Sequence, residues 1–156
     1  MGITKYTQEI KLRVPAKRMF KAMVTESYTI LPKIIPNAIK SSDLLQGDGG
    51  VGTIRQTNFP DAYVKHRIDA LDTENCVSKY TLIEGPMLGD PLESVYYNQK
   101  FEDTSDGGCI FKTVSEYYTK GDAVFKQDDI KNGNDQAIGF YTLTEEYLLA
   151  NPDVCA

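Results

Sequence analysis

The feature that most constrains the fold of this chain is a succession of short strand patterns through its middle, followed by a change to a helical period. Between residues 53 and 120, segments rich in β-branched and aromatic residues alternate with polar, turn-forming segments. Strands this short and this closely spaced are typical of an antiparallel meander. The predicted strands cover residues 53–59, 63–71, 76–84, 93–102 and 109–120, with two earlier strands at 3–14 and 38–45.

A helical pattern lies between the first two predicted strands. Apolar residues recur at helical spacing over residues 16–31, directly after Pro15, which suits the first turn of a helix. Within this stretch, Ser27 is predicted to cap a second short helix, and Pro32 is predicted to break it. The sequence therefore predicts two short helices here.

A longer helical pattern occupies the end of the chain. Asp128 and Asp129 are predicted to cap a helix that runs to about Ala150, and the Asn151-Pro152 pair is predicted to end it. A strand, two short helices, a curved antiparallel sheet and one long helix together predict an α+β fold. The apolar stripe of the long helix consists of Ile130, Ala137, Phe140, Tyr141, Tyr147 and Leu148.

Length and charge limit the partners that the chain can have. At 156 residues it has the length of one domain, which we expect to span residues 1–156. Its 22 acidic residues outnumber its 17 basic residues, which gives a net charge of −5. Clustered Lys and Arg bind nucleic acids and anionic membranes, so this balance disfavours both partners. No stretch has the roughly 20 consecutive apolar residues of a membrane-spanning helix.

The cysteine and histidine content limits the chemistry. Cys76, Cys109 and Cys155 are an odd number at wide spacings, which fits neither a disulfide framework nor a zinc site. His66 is the only histidine of the chain, so any histidine-based metal site or catalytic triad would depend on it. The sequence therefore predicts reduced cysteines, a cytoplasmic or nuclear location, and no metal or other cofactor.

A glycine-rich segment has the pattern of a nucleotide-binding loop without its context. Residues 47–52 spell G-x-G-x-x-G, which binds a dinucleotide when a strand precedes it and a helix begins from it. A strand-like sequence follows here instead. We therefore expect the glycines to supply positive φ angles between two antiparallel strands. The residues of this loop that enter the analysis of function are Gly47, Asp48, Gly49, Gly50 and Gly52.

At this loop the sequence becomes similar to a known family. Residues 47–52, 83–85, 119–122 and 146–152 together resemble the plant pathogenesis-related class 10 proteins, the Bet v 1 allergen family. The resemblance extends over residues 2–152. Shorter matches at residues 75–76, 108–110 and 117–120 resemble the legume nodulin branch of that family.

The resemblance implies both a fold and a function. It implies a seven-stranded curved antiparallel sheet around a long C-terminal helix, with two short helices and a large cavity between sheet and helix. It also implies binding of phytohormones, flavonoids and similar molecules, a role like that of an abscisic acid receptor that inhibits a phosphatase, or a ribonuclease activity. The nodulin branch points to an adenine-type cytokinin. The connection after Pro60 is shorter than is usual in the family, which implies a differently shaped cavity entrance.

Alternation along the strands predicts which side chains face that cavity. Residues two apart share a face, so an inward Tyr80 takes Ser78 and Leu82 with it. The resemblance places His66 inward, and helical periodicity turns part of the last helix toward the sheet. The predicted ligand-binding residues are Arg55, Thr57, His66, Ser78, Tyr80, Leu82, Val95, Tyr97, Gln99, Phe111, Thr113, Gly133, Gln136, Ala137, Phe140 and Tyr141.

Alternation alone leaves two interpretations of this inner surface open. Each unpaired buried polar group costs about 1–3 kcal/mol, so Ser78, Gln99, Thr113 and Gln136 need partners. In a packed core they would hydrogen-bond to one another, whereas in a cavity a ligand or water would satisfy them. The family resemblance favours the cavity.

The first functional hypothesis is a binding protein. The chain would carry, store or sense a small plant molecule such as a cytokinin, another phytohormone or a flavonoid, as a monomer or a weak dimer. Aromatic side chains would stack on the ligand and amides would hydrogen-bond to it. His66 is expected to contact the ligand and to change its charge near neutral pH.

The second hypothesis is an enzyme, either a ribonuclease or a condensing enzyme that works in the cavity. Lys112 is out of phase with the inward-facing Phe111 and Thr113, so the pattern does not support an inward catalytic lysine. Asp48 is the only charged residue of the glycine loop and would repel phosphate. No catalytic residue is predicted. The carboxylates expected to be solvated are Glu84, Glu93, Glu102 and Glu116.

Overall fold

A seven-stranded antiparallel sheet and a long C-terminal helix make up most of the molecule. The computed structural model describes residues 2–86, 88–89, 92–121 and 127–156, and within the last range it describes no side chains at positions 127, 129, 132–134 and 136. The predicted α+β order is confirmed. The strands are β1 (Gly2–Leu12), β2 (Ser41–Gln46), β3 (Ile54–Asn58), β4 (Tyr63–Asp72), β5 (Val77–Glu84), β6 (Leu92–Asp103) and β7 (Cys109–Thr119).

The sheet is a meander with one addition. Its order is β1-β7-β6-β5-β4-β3-β2, so β2 to β7 each pair with the next strand along the chain, and β1 pairs with β7 at the far edge. Every pairing is antiparallel. β2 begins at Ser41 rather than at residue 38, because Ala38 and Ile39 both donate to the carbonyl of Ile35 in a turn. The prediction of an antiparallel meander is confirmed.

The strand patterns have the period that a sheet with one covered face requires. Along β7, buried and half-buried residues alternate from end to end. The register shifts between Ile68 and Ala70 of β4 and between Leu92 and Ser94 of β6. Such bulges bend strands and increase their twist, which helps the sheet to curve.

The first helical stretch is divided into three parts. α1 (Ala16–Phe20) continues into a π-helical turn (Lys21–Thr25), and α2 (Ser27–Ile34) follows. Pro15 is the residue that precedes α1. Pro32 was predicted to break the helix and lies inside α2 instead. The helix tolerates it because the missing N–H removes a single hydrogen bond from a segment that ends at Ile34.

Ser27 does not cap α2, which corrects the prediction made from its position. Glu26 precedes the helix, and it makes no side-chain capping bond. Ser27 is 1% exposed. Its hydroxyl donates to the carbonyl of Val24 at 3.0 Å and accepts a hydrogen bond from Nη1 of Arg55 on β3. The side chain is therefore directed into the molecule, where it holds an arginine.

The C-terminal helix, α3 (Gln127–Ala150), ends where the Asn151-Pro152 pair predicts. It begins at Gln127, so Asp128 and Asp129 lie in its first turn rather than at a cap. The helix extends toward the N-terminus beyond the first acidic residue, which is why the capping prediction was wrong. No helix in the described ranges combines the length and the apolar character needed to cross a membrane.

Arg18 of α1 holds the end of α3. Its guanidinium donates hydrogen bonds of 2.7–3.2 Å to the carbonyls of Leu148, Asn151 and Val154. Carbonyls at the end of a helix have no partner within the helix, so a side-chain donor is favourable there. This contact ties α1 to the C-terminal segment.

Glu145 provides a second tie between α3 and the rest of the chain. Its carboxylate accepts from the main-chain N–H of Arg13 at 2.6 Å and from the Arg13 guanidinium at 3.1 Å. The carboxylate is buried while the guanidinium is largely exposed. Hydrogen bonds that involve a charged group are stronger than neutral ones, so this pair helps to fix the position of α3 beside the end of β1.

The core consists of two separate apolar clusters, and α3 contributes to both. The first contains Phe101 of β6, and α3 adds Leu148 to it. The second contains Val95 of β6, and α3 adds Ile130. The other members of the second cluster are Leu82, Leu92 and Tyr117.

A layer of mixed polarity lies between the two clusters. On the inner row of β6, Tyr97 and Gln99 lie between Val95 and Phe101, and on β7 Thr113 and Ser115 are their cross-strand partners. The inner rows of both strands therefore run from apolar to polar and back to apolar. α3 spans this layer with both of its ends held in apolar clusters.

The three cysteines belong to the first cluster or pack against it. Cys76 and Cys109 are buried within it, and Cys155 lies at its margin. All three are free, as the sequence predicts. Burial raises the pKa of the Cys109 thiol to about 12, so it remains protonated at neutral pH.

We expect Arg18→Met to lower the free energy of unfolding by about 2–3 kcal/mol, because it leaves three carbonyls without their donor. Lys17→Met, an exposed neighbour in the same helix, is the control and should change it by less than about 0.5 kcal/mol. Urea unfolding followed by circular dichroism measures both variants. Equal stabilities of Arg18→Met and wild type would show that other contacts hold the end of α3.

Candidate functional site

The inner face of the sheet, the two short helices and α3 enclose a cavity of about 230 Å³. Its position matches the mixed layer between the two apolar clusters. Its volume lies near the lower end of the range of about 300–1,000 Å³ found for small-molecule sites. The lining residues are Met23, Val24, Leu31, Arg55, His66, Ile68, Ser78, Lys79, Tyr80, Tyr97, Gln99, Ala137, Phe140 and Tyr141.

A smaller space of about 80 Å³ adjoins this cavity. The two share Tyr80, Tyr97, Gln99, Ala137 and Tyr141 as walls. The smaller space extends the site toward β7 and β1. Its other lining residues are Gln8, Phe111, Thr113, Ser115 and Ile138.

Most of the residues predicted from strand alternation come together at these two spaces. The larger cavity collects those from β3, β4, β5 and β6, and the smaller one collects those from β7. Period-two alternation succeeds because these strands are regular where they cross the middle of the sheet. The predicted residues found on the walls are Arg55, His66, Ser78, Tyr80, Tyr97, Gln99, Phe111, Thr113, Ala137, Phe140 and Tyr141.

Five predicted residues are not placed on the walls. Leu82 and Val95 have the predicted phase but belong to the second apolar cluster, where the sheet is closed by packed side chains. Thr57 lies on β3 beyond Arg55 and lines neither space. Gly133 and Gln136 lie outside the residues whose side chains the structure describes.

The sequence analysis missed the part of the wall that the helices supply. Met23 and Val24 of the π-helical turn and Leu31 of α2 line the larger cavity. Their helical spacing marked them as apolar, but local periodicity does not tell whether a helix face meets a core or a cavity. Ile68 could have been found, because it lies two residues from His66 on β4.

Lys79 borders the cavity without extending its side chain into it. It lies between the inward-facing Ser78 and Tyr80, so alternation directs its side chain to the outer face, and the residue is exposed. Lys112 is likewise on the outer face, where it pairs with Glu102 at 3.0 Å. Neither lysine supplies an amine to the cavity.

Three rings form the aromatic side of the larger cavity. Tyr80 and Tyr97, direct partners across β5 and β6, stack with ring centroids 4.8 Å apart and planes 22° apart. The His66 ring meets Tyr80 edge-on at 5.1 Å and Tyr97 at 6.0 Å. Burial raises the pKa of Tyr80 to about 12 and that of Tyr97 well above its ordinary value. Both phenols therefore remain neutral.

Gln99 connects this group to a second set of rings. Its side-chain amide donates to the hydroxyl of Tyr80 at 2.7 Å and to that of Tyr141 on α3 at 3.1 Å. Tyr141 in turn stacks on Phe111 with centroids 4.3 Å apart. The amide thus holds the aromatic residues of the sheet and of α3 in a fixed relation across the cavity.

Arg55 brings a positive charge to the cavity wall. Its Nη1 donates to the buried hydroxyl of Ser27, while its Nε is buried without a partner. Burial lowers the pKa of the guanidinium below its ordinary value, but an arginine keeps its charge in proteins. Among the ion pairs of the described residues, none includes Arg55.

His66 faces Arg55 across the β3–β4 pair. Burial, and to a smaller extent the charge of Arg55, lower the pKa of His66 to about 3. The expectation that this histidine changes charge near neutral pH was wrong, because a second positive charge beside Arg55 in a desolvated site is unfavourable. His66 acts in the cavity as a neutral imidazole.

Unpaired polar atoms distinguish between the two interpretations of the inner surface. In the described part of the chain, four buried side-chain atoms have no hydrogen-bond partner: Arg55 Nε, His66 Nδ1, Ser78 Oγ and Ser115 Oγ. All four residues line the two adjoining spaces. Gln99 is satisfied by neighbouring side chains, as a packed core would require. The walls therefore combine internal pairing with polar groups that remain available.

The glycine-rich loop is not available for a phosphate. It connects antiparallel β2 and β3, and Gly47 and Gly52 both have φ of +88°. The N–H groups of Gly49, Gly50 and Gly52 donate to Thr53 Oγ1, Asp48 Oδ1 and the Ile68 carbonyl. The prediction of a strand-to-strand connection is confirmed.

A more open depression of about 300 Å³ lies on the outer face of the sheet. Its walls include Asp69, Tyr96, Asn98 and Glu116, which alternate with the inward residues. Solvent reaches these groups, so they have no need of a ligand. Among the described residues, no cluster of three or more potential metal-ligating side chains occurs.

Comparison with known proteins agrees with this geometry. The profile of the pathogenesis-related protein Bet v 1 family matches residues 1–151. The major allergen Pru ar 1 of Prunus armeniaca is 44% identical over 157 residues, which cover 98% of each chain. These matches do not confirm the nodulin branch.

Solved structures show the same fold. Ara h 8.0201 has a TM-score of 0.84 and 31% identity, over 96% of this chain and all of its own. Norcoclaurine synthase from Thalictrum flavum, in complex with dopamine and hydroxybenzaldehyde, has a TM-score of 0.72 at 22% identity, over 93% of this chain and 88% of its own.

The state of His66 predicts how stability depends on pH. Its pKa is about 3 in the folded protein and about 6.5 in an unfolded chain, so the unfolded chain binds the extra proton between these values. Stability should therefore be full above about pH 6.5 and fall as the pH is lowered. Relative to His66→Gln, wild type should lose about 2–3 kcal/mol between pH 7.5 and 4.5.

Urea unfolding at a series of pH values measures this difference, and the carboxylates cancel because both proteins contain them. Arg55, Tyr80 and Tyr97 are the described ionisable groups that face His66, and none of them changes charge in this range. A histidine Cε1 proton resonance that titrates with a midpoint near pH 6.5 would contradict the prediction. The assignment is unambiguous because the chain has one histidine.

Proposed function

Because this chain belongs to the pathogenesis-related Bet v 1 family, we propose that it binds a small, mainly apolar plant molecule in the cavity between its sheet and α3. Candidate ligands are an adenine-type cytokinin, another phytohormone, or a flavonoid or other phenolic. Such binding would serve defence, storage or hormone signalling.

The observation that carries this proposal is the position of the unpaired polar atoms. Buried polar groups in proteins are hydrogen-bonded, because an unsatisfied one costs about 1–3 kcal/mol. The four exceptions among the described residues all belong to the walls of one site. A ligand that supplies polar atoms there would remove this cost. Aromatic faces beside them offer an apolar surface to the remainder of the ligand.

The shape of the site agrees with a flat ligand. Tyr80 and Tyr97 form one stacked pair and Phe111 and Tyr141 another, with Gln99 between them. Rings arranged in this way contact planar molecules through their faces or edges. The structure of norcoclaurine synthase contains two small aromatic compounds. At 22% identity that protein shares the fold alone, and the fold is therefore compatible with aromatic ligands.

Protonation favours binding over catalysis in this cavity. A general acid or base works best when its pKa lies near the working pH. His66 has a pKa of about 3, Tyr80 has one of about 12, and burial raises the pKa of Tyr141 well above its ordinary value. These groups keep one protonation state at neutral pH. They are suited to hydrogen bonding and stacking rather than to proton transfer.

Calorimetric titration with trans-zeatin, abscisic acid, a gibberellin and a flavonoid tests the proposal. We expect saturable one-site binding of at least one compound with a micromolar dissociation constant. Ala137→Phe should abolish that binding, because residue 137 borders both spaces and a phenyl ring would fill them. Ala150→Phe, the same change at an exposed position at the end of α3, should leave the affinity unchanged.

Thermal melting of both variants confirms that they are folded. Absence of heat and of a thermal shift with every compound would contradict the proposal. Unchanged binding by a folded Ala137→Phe would place the ligand outside the cavity.

A further inference from the structure

Arg55 is an unusual residue for an apolar cavity. Its side chain lies between β3 and α2 and borders the larger space. In the described part of the chain it has no carboxylate partner. Burying a charge without an opposite charge is costly, so a cation retained here calls for a functional explanation.

The groups around Arg55 position it without neutralising it. The Ser27 hydroxyl accepts from Nη1 and donates to the carbonyl of Val24, so one side of the guanidinium is fixed by α2 and the π-helical turn. Nε is buried and unpaired. A guanidinium has five N–H donors in a planar fork, so donors remain for a partner within the cavity.

The neighbouring groups favour an anion over a neutral ligand. His66 is neutral, and its buried Nδ1 has no partner. A neutral imidazole can donate one hydrogen bond. Ser78, 2% exposed, has an unpaired hydroxyl on the same wall. No described carboxylate lines this space, so nothing in the wall repels an incoming negative charge.

We propose that Arg55 binds the carboxylate of an aromatic acid whose ring lies against Tyr80 and Tyr97. This inference rests on the proposed function and names the chemical class of the ligand. The carboxylate oxygens accept from the fork of Arg55, and His66 and Ser78 lie on the wall as further hydrogen-bonding groups.

A carboxylate fits this wall better than a phosphate. Planar guanidinium and planar carboxylate form paired, parallel hydrogen bonds. A phosphate monoester carries about −1.5 to −2 charges at pH 7, whereas Arg55 is the only cationic side chain directed at the cavity among those that the structure describes. A single negative charge is therefore the charge that the wall can neutralise.

Titration with a matched pair of ligands tests the inference. The probes are 1-naphthaleneacetic acid, ionised at pH 7, and 1-naphthaleneacetamide, its neutral isostere. We expect wild type to bind the acid at least tenfold more tightly than the amide. Arg55→Gln should lose at least tenfold in affinity for the acid and less than about threefold for the amide, because the charged hydrogen bonds are lost while the apolar contacts remain.

Arg67→Gln is the control variant. It removes the same side chain from the neighbouring strand, but Arg67 is exposed and pairs with Asp69 at 2.7 Å on the outer face. We expect it to keep the preference for the acid. Arg55→Met serves as a second variant, because an apolar residue in place of an unpaired buried charge is compatible with folding. Thermal melting checks both Arg55 variants.

Equal affinity of wild type for acid and amide, or a preference for the acid that survives in Arg55→Gln, would overturn the inference. The comparison in wild type needs no variant, so it decides even if both Arg55 variants unfold. Failure of both naphthalene probes would overturn it as well. Parallel titration with trans-zeatin then shows whether the cavity binds a neutral ligand or whether the proposed function fails too.

Discussion

The attachment of α3 at two separate apolar clusters is the constraint on which the rest of the structure depends. Ile130 near the start of the helix and Leu148 near its end are both buried, each in a different cluster. Arg18 and Glu145 add polar ties at the C-terminal end. Because the helix is held at both ends, its middle crosses the sheet without a dry core beneath it. The cavity occupies that interval.

The inner rows of the strands explain how one sheet carries both functions. On β6 the row runs from Val95 through Tyr97 and Gln99 to Phe101, so its ends are apolar and its centre is not. Burial of the ends supplies the hydrophobic stabilisation. The centre supplies hydrogen-bonding groups whose partners are only partly other side chains. Stability and ligand contact are therefore assigned to different residues of the same strand.

Sequence patterns predicted the elements of this fold well because each has its own period. Alternation placed Tyr80, Tyr97 and Gln99 on the inner face. It also placed Leu82 and Val95 there, correctly as to face, but it carries no information on where along the strand a cavity ends and a packed cluster begins. That limit depends on which residues of α3 and the sheet meet, which is a property of tertiary packing.

Other features of the site were out of reach of local patterns. The hydrogen bond from Arg55 to Ser27 joins residues that are 28 apart in the chain, and capping preference suggested another role for the serine. The low pKa of His66 results from burial and from the arginine beside it. Neither effect can be derived before the strands are paired, because both depend on distance and desolvation.

The separation of the two clusters from the layer between them has a consequence for how such a chain can diverge. Substitutions at the wall positions of β4, β5 and β6 change which molecule fits while leaving the contacts of Leu148 and Ile130 with their clusters intact. Most large losses of stability come from changes within packed cores. A duplicated gene could therefore explore new ligands through a handful of side chains without passing through unfolded intermediates.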